Sequence, residues 1–355
     1  MMTTKPNVYG LFLPEIAQVT AELGLESYRA RQIAEWMYQR GSSAFLEMTN
    51  LPFAQRERLT EHCSLTKVSL QDQQESADGK TTKYLLGFAD GAAVETVLMR
   101  QAYGNSVCVS TQVGCAMGCL FCASALNGIV RDLTGGEILA QVLFIQQQLA
   151  KTGQKVSSVV LMGAGEPLLN YDNVLRFIRL CHEKYVLNLS YRSFTLSTSG
   201  IIPGIDRLCG ENLPVTLAIS LHAPENTLRS KLMPINNKYS LAEVMKAGER
   251  YASASGRRVT YEYTLIDNVN DSSEQATQLG MLLKGKLANI NLIPVNAVPE
   301  RGLLRPGKER VSRFEKTLLN MGINVTVRRE MGADIQAACG QLRQKMLEKT
   351  QPARR

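Results

Sequence analysis

From about residue 105 to residue 330 the chain alternates short apolar runs with amphipathic helical stretches, and no other feature restricts its fold as much. Strand candidates are Val107–Thr111, Ser157–Met162, Ser193–Ser197, Val215–Leu221, Arg258–Leu265, Asn289–Val295 and Asn324–Arg328. Helical stretches lie between most of them, among them Gly136–Leu149, Asn173–His182, Leu241–Ala254 and Lys308–Asn320. Repeated strand–helix units imply parallel strands joined by right-handed crossovers. About six such units predict an α/β fold and suit a full or partial barrel better than a short open sheet, although periodicity leaves both open. In such barrels chemistry gathers where the strands end. Polar or glycine-rich groups stand at the predicted ends: Gly163-Ala164-Gly165-Glu166, Ser197-Thr198-Ser199-Gly200, Ser220-Leu221-His222 and Asn296. They can converge on one face.

The front of the chain reads differently. Residues 1 to about 75 predict a small helical module, with Ile33, Trp36 and Met37 on one face of a stretch over Thr20–Arg40. Thr82–Phe88 and Ala92–Arg100 flank Asp90-Gly91, a turn signal that predicts a β-hairpin over 76–104, which carries Glu95. The barrel then occupies 105–330, and 331–355 form a C-terminal segment with Cys339 and a basic tail.

A chain of 355 residues with 45% hydrophobic and 20% charged side chains is an ordinary globular composition. No run approaches the ~18 apolar residues that span a bilayer, and the start, Met1 to Pro6, lacks the apolar core of a secretory signal. A cytoplasmic location is therefore expected, and there eight cysteines point to metal binding or catalysis rather than to a disulfide framework. The net charge of +8 hints at a polyanionic partner and equally suits ordinary solubility. Arg343, Lys345, Lys349, Arg354 and Arg355 face only Glu348 in the tail, which reads either as a nucleic-acid contact or as a solvated end.

The sharpest local signal is Cys115-Ala-Met-Gly-Cys119-Leu-Phe-Cys122, just after the first barrel strand. Four cysteines close the coordination of a [4Fe–4S] cluster, whereas three leave one iron open. An open iron can chelate an amine and a carboxylate together, the geometry of the amino-acid end of S-adenosylmethionine. The alternatives are a zinc knot completed by a distant Cys or His, or chance. Phe121, beside the last cysteine, can cover such a cluster.

The loop resembles the signature of the radical S-adenosylmethionine superfamily. The resemblance narrows over Gln112-Val113-Gly114-Cys115, Gly163 to Asn170, Leu196 to Gly200, Ser220 to Pro224, Asn291 to Asn296 and Asp334 to Leu342, all similar to RlmN-type RNA methyltransferases. It implies a partial (β/α)6-type barrel in which Cys115, Cys119 and Cys122 hold the [4Fe–4S] cluster. It also implies that Gly165, Glu166, Ser197, Ser220, Leu221, His222 and Asn296 contact S-adenosylmethionine. For His222 a packed strand-end histidine is the alternative. By the same resemblance Cys339 is a methyl carrier, Cys108 the thiol that resolves it through a transient Cys108–Cys339 disulfide, and Glu95 the proton acceptor. The alternative for Glu95 is an edge-strand ion pair. Cys63, Cys181 and Cys209 match none of these motifs.

The family implies two S-adenosylmethionine molecules per turnover and methylation of C2 of adenosine 2503 in 23S rRNA, with adenosine 37 of tRNA as a further target. A flavodoxin- or ferredoxin-type electron donor, no membrane and a monomer are expected. The N-terminal module and basic tail are then candidate phosphate contacts. Cfr-type enzymes, which methylate C8 of the same adenine, share nearly every motif. Val113 before Gly114-Cys115 favours the RlmN type, because Cfr-type sequences tend to carry Cys there. A metal-stabilised RNA-binding protein without catalysis is the reading from another class. It leaves Cys108 and Cys339 unexplained.

Overall fold

The computed structural model describes residues 5–328 and 330–346. Seven strands run parallel in the order β4 (Gly104–Cys108), β7 (Val156–Leu161), β8 (Phe194–Thr198), β9 (Thr216–Ser220), β10 (Val259–Leu265), β11 (Ala288–Pro294) and β12 (Val325–Val327). Each sequence-predicted barrel strand is present. On the far side of β4 the sheet continues antiparallel through β3 (Ala92–Gln101), β2 (Thr81–Gly87) and β1 (Ser69–Glu75). β12 and β1 are its two free edges, so the barrel is partial. β5 (Gln112–Gly114) and β6 (Ile129–Asp132) form a separate two-stranded sheet, and β13 (Gln344–Met346) pairs with β3.

The connecting helices are α4 (Gly135–Ala150), α5 (Tyr171–His182), α6 (Ile202–Cys209), α7 (Asn226–Leu232), α8 (Leu241–Ser255), α9 (Ser273–Leu283) and α10 (Lys308–Asn320). Their ends are set locally. Thr134 with Glu137, Ser240 with Glu243 and Ser272 with Gln275 form capping boxes at α4, α8 and α9, satisfying backbone N–H groups that a helix start leaves unpaired. Leu139, Val159, Leu196, Ile219, Tyr261 and Leu292 are fully buried between helices and sheet.

Three helices, α1 (Leu13–Glu22), α2 (Arg29–Tyr38) and α3 (Phe53–His62), make the front module. The stretch read as one helix over Thr20–Arg40 is broken because Gly24 turns left-handed, at φ +67°. Ile33 and Met37 are buried as expected, while Trp36 sits at the margin with its indole N–H on Asn50. The module joins the main core. A Cβ on Gly136 of α4 would lie 2.6 Å from the Tyr9 carbonyl oxygen, so this close approach requires glycine. Ser69–Glu75, assigned to the helical module from sequence, is instead an edge strand pairing with β2.

Candidate active site

The cysteine loop leaves β5 at Cys115 and returns at β6. The Cys115 N–H donates to the Gly128 carbonyl at 2.9 Å, closing the base of the loop, and the Leu120 N–H donates to Leu232 at 2.9 Å, tying it to α7. Cys115, Cys119 and Cys122 then face one cavity of about 860 Å³, counted to its mouth. Gly165, Glu166, Ser197, Ser220, His222, Asn296 and Cys339 line the same cavity. Six strand ends and the C-terminal segment thus meet where the sequence placed the chemistry.

Burial pushes the Cys115 thiol up to about 12 and the Cys119 thiol well above its ordinary value, and neighbouring thiols and Glu166 add to both. Cys122 is raised by burial as well. Three thiolates crowded together need a cationic centre among them. Cys115, Cys119 and Cys122 line one cavity together, and three thiolate donors are a set that fits an iron–sulfur cluster with one iron left open.

The opposite wall is polar. A Cβ on Gly165, at φ +109°, would sit 2.7 Å from Thr111 Oγ1 and from Gln112 Cβ, so glycine is required there. Glu166 Oε2 accepts from the Ser199 N–H at 2.7 Å and Oε1 from the Leu168 N–H at 3.1 Å. Each oxygen keeps a lone pair for an ammonium donor. Burial raises the Glu166 carboxyl, and these hydrogen bonds oppose the rise.

Strand alternation sorts Ser220, Leu221 and His222. Ser220 and His222 line the cavity, whereas the Leu221 side chain packs into the core. Of Leu221 the site retains the backbone alone. His222, at φ +59°, accepts the Thr264 N–H on Nδ1 at 2.8 Å, so its neutral ring carries the proton on Nε2. The Phe121 ring lies 4.4 Å from the imidazole, centroid to centroid.

Burial first, and then the Arg229 charge, lower the His222 pKa to about 3. Between that value and the ordinary 6.5 the unfolded chain binds a proton that the folded chain does not. This group's contribution to stability is therefore complete above about pH 6.5 and is lost as pH falls towards 3. Urea unfolding at pH 5 and pH 7 should show native protein losing about 1.4 kcal/mol more per pH unit than His222→Gln below 6.5. Equal losses would remove His222 as the cause.

Cys339 enters from the C-terminal segment. The Asn296 side-chain amide donates to its carbonyl at 2.9 Å, the Ala123 N–H to Gly340 at 2.7 Å, and the Ser124 hydroxyl to Leu342 at 2.6 Å. The C-terminal segment is thus fastened to the cysteine loop itself. Cys108 does not line the cavity. It sits behind Cys339 in an apolar patch with Val97, Met99, Ala337 and Leu342, where burial and then the Cys339 charge push its thiol up to about 12. Both thiols are unbonded.

Two charged residues of the wall, Glu262 and Arg328, were not among the sequence candidates. Burial raises the Glu262 carboxyl, and Asn291 Nδ2 donates to it at 2.8 Å. The Cys339 charge, acting first, raises the Arg328 guanidinium, and Glu262 and Cys108 add to it. A carboxylate inside the apolar run Val259–Leu265 was the available signal for Glu262.

Glu95 does not line the cavity: Lys83 Nζ lies 3.2 Å from one carboxylate oxygen, and the Arg343 N–H donates to the other at 2.7 Å. An ion pair was its alternative reading, but β3 lies inside the sheet between β2 and β4 rather than at an edge.

Residues 109–279 match the family model for the radical SAM superfamily, and residues 6–65 match the ribosomal RNA large subunit methyltransferase N-terminal domain. A protein of Symbiobacterium thermophilum described as a probable dual-specificity RNA methyltransferase RlmN is 53% identical over 341 residues, 96% of this chain and 92% of its own. The chain belongs to the RlmN family. A Bacillus licheniformis relative of the same description is 50% identical over 97% of this chain and 95% of its own. The crystal structure of a radical SAM methyltransferase from Sphaerobacter thermophilus superposes with a TM-score of 0.92 at 44% identity, covering 95% of this chain and 99% of that one. As an RlmN-family radical SAM RNA methyltransferase, the chain belongs to a superfamily that uses S-adenosylmethionine and a [4Fe–4S] cluster.

No helix among the described residues is long and apolar enough to cross a membrane. The RlmN N-terminal module, residues 6–65, carries five arginines and seven glutamates, so charge alone does not mark it as a phosphate contact. In the tail, Arg343 pairs with Glu300 at 2.6 Å, while Lys349, Arg354 and Arg355 lie outside the described residues.

Proposed function

We propose that this protein methylates C2 of adenosine 2503 in 23S rRNA, and adenosine 37 of tRNA, through a methyl group carried on Cys339. The observation that carries this reading is Cys339 on the wall of the cavity that holds Cys115, Cys119 and Cys122, with Cys108 directly behind it. The description of the relatives as dual-specificity enzymes supports two RNA substrates.

Cys115, Cys119 and Cys122 are the cluster ligands in this reading, and Glu166, Ser197, Ser220, His222 and Asn296 orient S-adenosylmethionine. When bound, the cluster supplies the electron, delivered by a flavodoxin- or ferredoxin-type donor, that cleaves S-adenosylmethionine into methionine and a 5′-deoxyadenosyl radical. Cys339 accepts a methyl group from a first S-adenosylmethionine. That methyl would lose a hydrogen atom to the radical formed from a second, its carbon would bond to C2 of the adenine, and the adduct would give up the C2 proton and one electron, replacing the electron spent on cleavage. Cys339 is then linked to RNA. The Cys108 thiolate attacks the Cys339 sulfur, the sulfur–carbon bond breaks, and the carbon keeps the electron pair and takes a proton. The Cys108–Cys339 disulfide is reduced by external thiols before the next turnover. Burial raises both thiols, and the Arg328 charge opposes that rise at each, working towards the thiolates these steps use.

A bulk RNA enzyme must reach a base that is unstacked, and loops and single strands are the usual targets. The reconstituted protein, S-adenosylmethionine and unmodified rRNA and tRNA should give 2-methyladenosine in both RNAs, identified by mass mapping of the nucleosides. Methylation at C8 would overturn the regiochemistry, and methylation of rRNA alone would overturn the second substrate.

A further inference from the structure

We infer that Arg229 is a positioning residue that supplies the fixed positive charge balancing the three-cysteine loop, and that it raises the reduction potential of the cluster held there. The inference rests on that loop holding a [4Fe–4S] cluster, as proposed above.

Arg229 lies on α7 and is fully buried. A guanidinium has five N–H donors, and here each has an acceptor. Nε donates to the Leu221 carbonyl at 3.2 Å, Nη1 to Asn236 Oδ1 at 2.9 Å and the Tyr239 carbonyl at 3.4 Å. Nη2 donates to the Ser199 and Ser220 carbonyls at 2.8 and 3.0 Å. All five acceptors are neutral, and among the described residues no carboxylate pairs with this arginine. Asn236 is itself pinned by its amide on Ser230 Oγ at 2.8 Å, which fixes the oxygen it offers.

A fully buried cation without a counter-ion is rare, because desolvation costs several kcal/mol unless an opposite charge offsets it. The Arg229 guanidinium grips the carbonyls of Ser199 and Ser220, residues that line the same cavity as Cys115, Cys119 and Cys122, and Leu232 of its own helix accepts from Leu120 in the cysteine loop. The charge of Arg229 is therefore complemented by the metal site. Reducing a cluster by one electron adds one negative charge. A fixed cation nearby in a medium of low dielectric favours that reduced state.

The same guanidinium ties together the ends of β8 and β9 through Ser199, Ser220 and Leu221. These carbonyls belong to the wall that carries Ser197, Ser220 and His222. Charge and geometry can be separated by substitution. Lysine keeps the charge and has three donors; glutamine loses the charge and keeps two.

The test uses full-length native protein, R229K and R229Q, each reconstituted anaerobically with iron and sulfide. Midpoint potentials are read by redox titration monitored by electron paramagnetic resonance, and S-adenosylmethionine affinity by equilibrium binding. R229Q should titrate at a more negative potential than native protein, and R229K close to native. Both should bind S-adenosylmethionine several-fold more weakly. A cluster in R229Q at the native potential overturns the inference. Should R229Q fail to fold, R229K decides, because a shifted potential despite the retained charge also overturns it. Native protein that takes up no cluster overturns the cluster reading itself, a failure visible before any variant is compared.

Discussion

Cys339→Ala should abolish RNA methylation, lowering turnover on the order of a thousandfold or more, while leaving the brown cluster chromophore unchanged. The reason is positional. Cys339 is the thiol that lines the cavity beyond the three of the loop, and the cysteines outside the motifs are far from it in role: Cys63 and Cys181 are packed into the core. Cys108 should not substitute, because it lies in an apolar patch outside the cavity lining. Alanine should leave the segment in place, since the Asn296 side-chain amide and the Ala123 N–H hold its backbone carbonyls. Intact-protein mass spectrometry after incubation with S-adenosylmethionine checks the assignment. Native protein gains one methyl group and the variant gains none. Full activity in Cys339→Ala would end the carrier scheme.

Cys108→Ala should do something different in kind: it should purify joined to RNA. Without the second thiolate nothing attacks the Cys339 sulfur, and the bond to adenine persists through denaturation. Removing one buried thiol leaves a small apolar gap at a cost of about 1 kcal/mol, so the variant should fold. The adduct should appear as a nuclease-sensitive band on a denaturing gel, with at most one turnover per protein. A Cys108→Ala protein free of RNA and turning over at the native rate would remove Cys108 from the reaction. The pair of variants is informative together, because Cys339→Ala, Cys108→Ala should form no adduct.

The parallel strands could be read from sequence because most are compact apolar runs, buried throughout or at alternate positions, bounded by turn residues. β1 could not. Ser69-Leu-Gln-Asp-Gln-Gln-Glu75 is polar and exposed throughout, an edge strand without the alternation that marks a half-buried one. The cysteine loop was readable because its ligands are close in sequence. Glu95 and Arg328 were harder for the opposite reason, since their partners are set by pairing. Lys83 reaches Glu95 only because Leu85 is the residue registered against Glu95, which brings Lys83 diagonally opposite. Arg328 reads as the last residue of an edge strand until β12 closes towards Cys108 and Cys339. Leu221 shows what a motif alone leaves open: strand alternation turns its side chain into the core between two residues that line the cavity.

The contact between Arg343 and Glu95 spans 248 residues of chain, and β13 joins β3 just beyond it. Pairings across such lengths carry a large loop-closure cost and form late in folding. Along the chain Cys339 also follows β12, the last of the parallel strands. The strands and the cysteine loop can therefore come together while that wall is still missing, and the segment bearing Cys339 arrives as the closing stitch. The order in which the cavity is assembled is written into which distant segments pair.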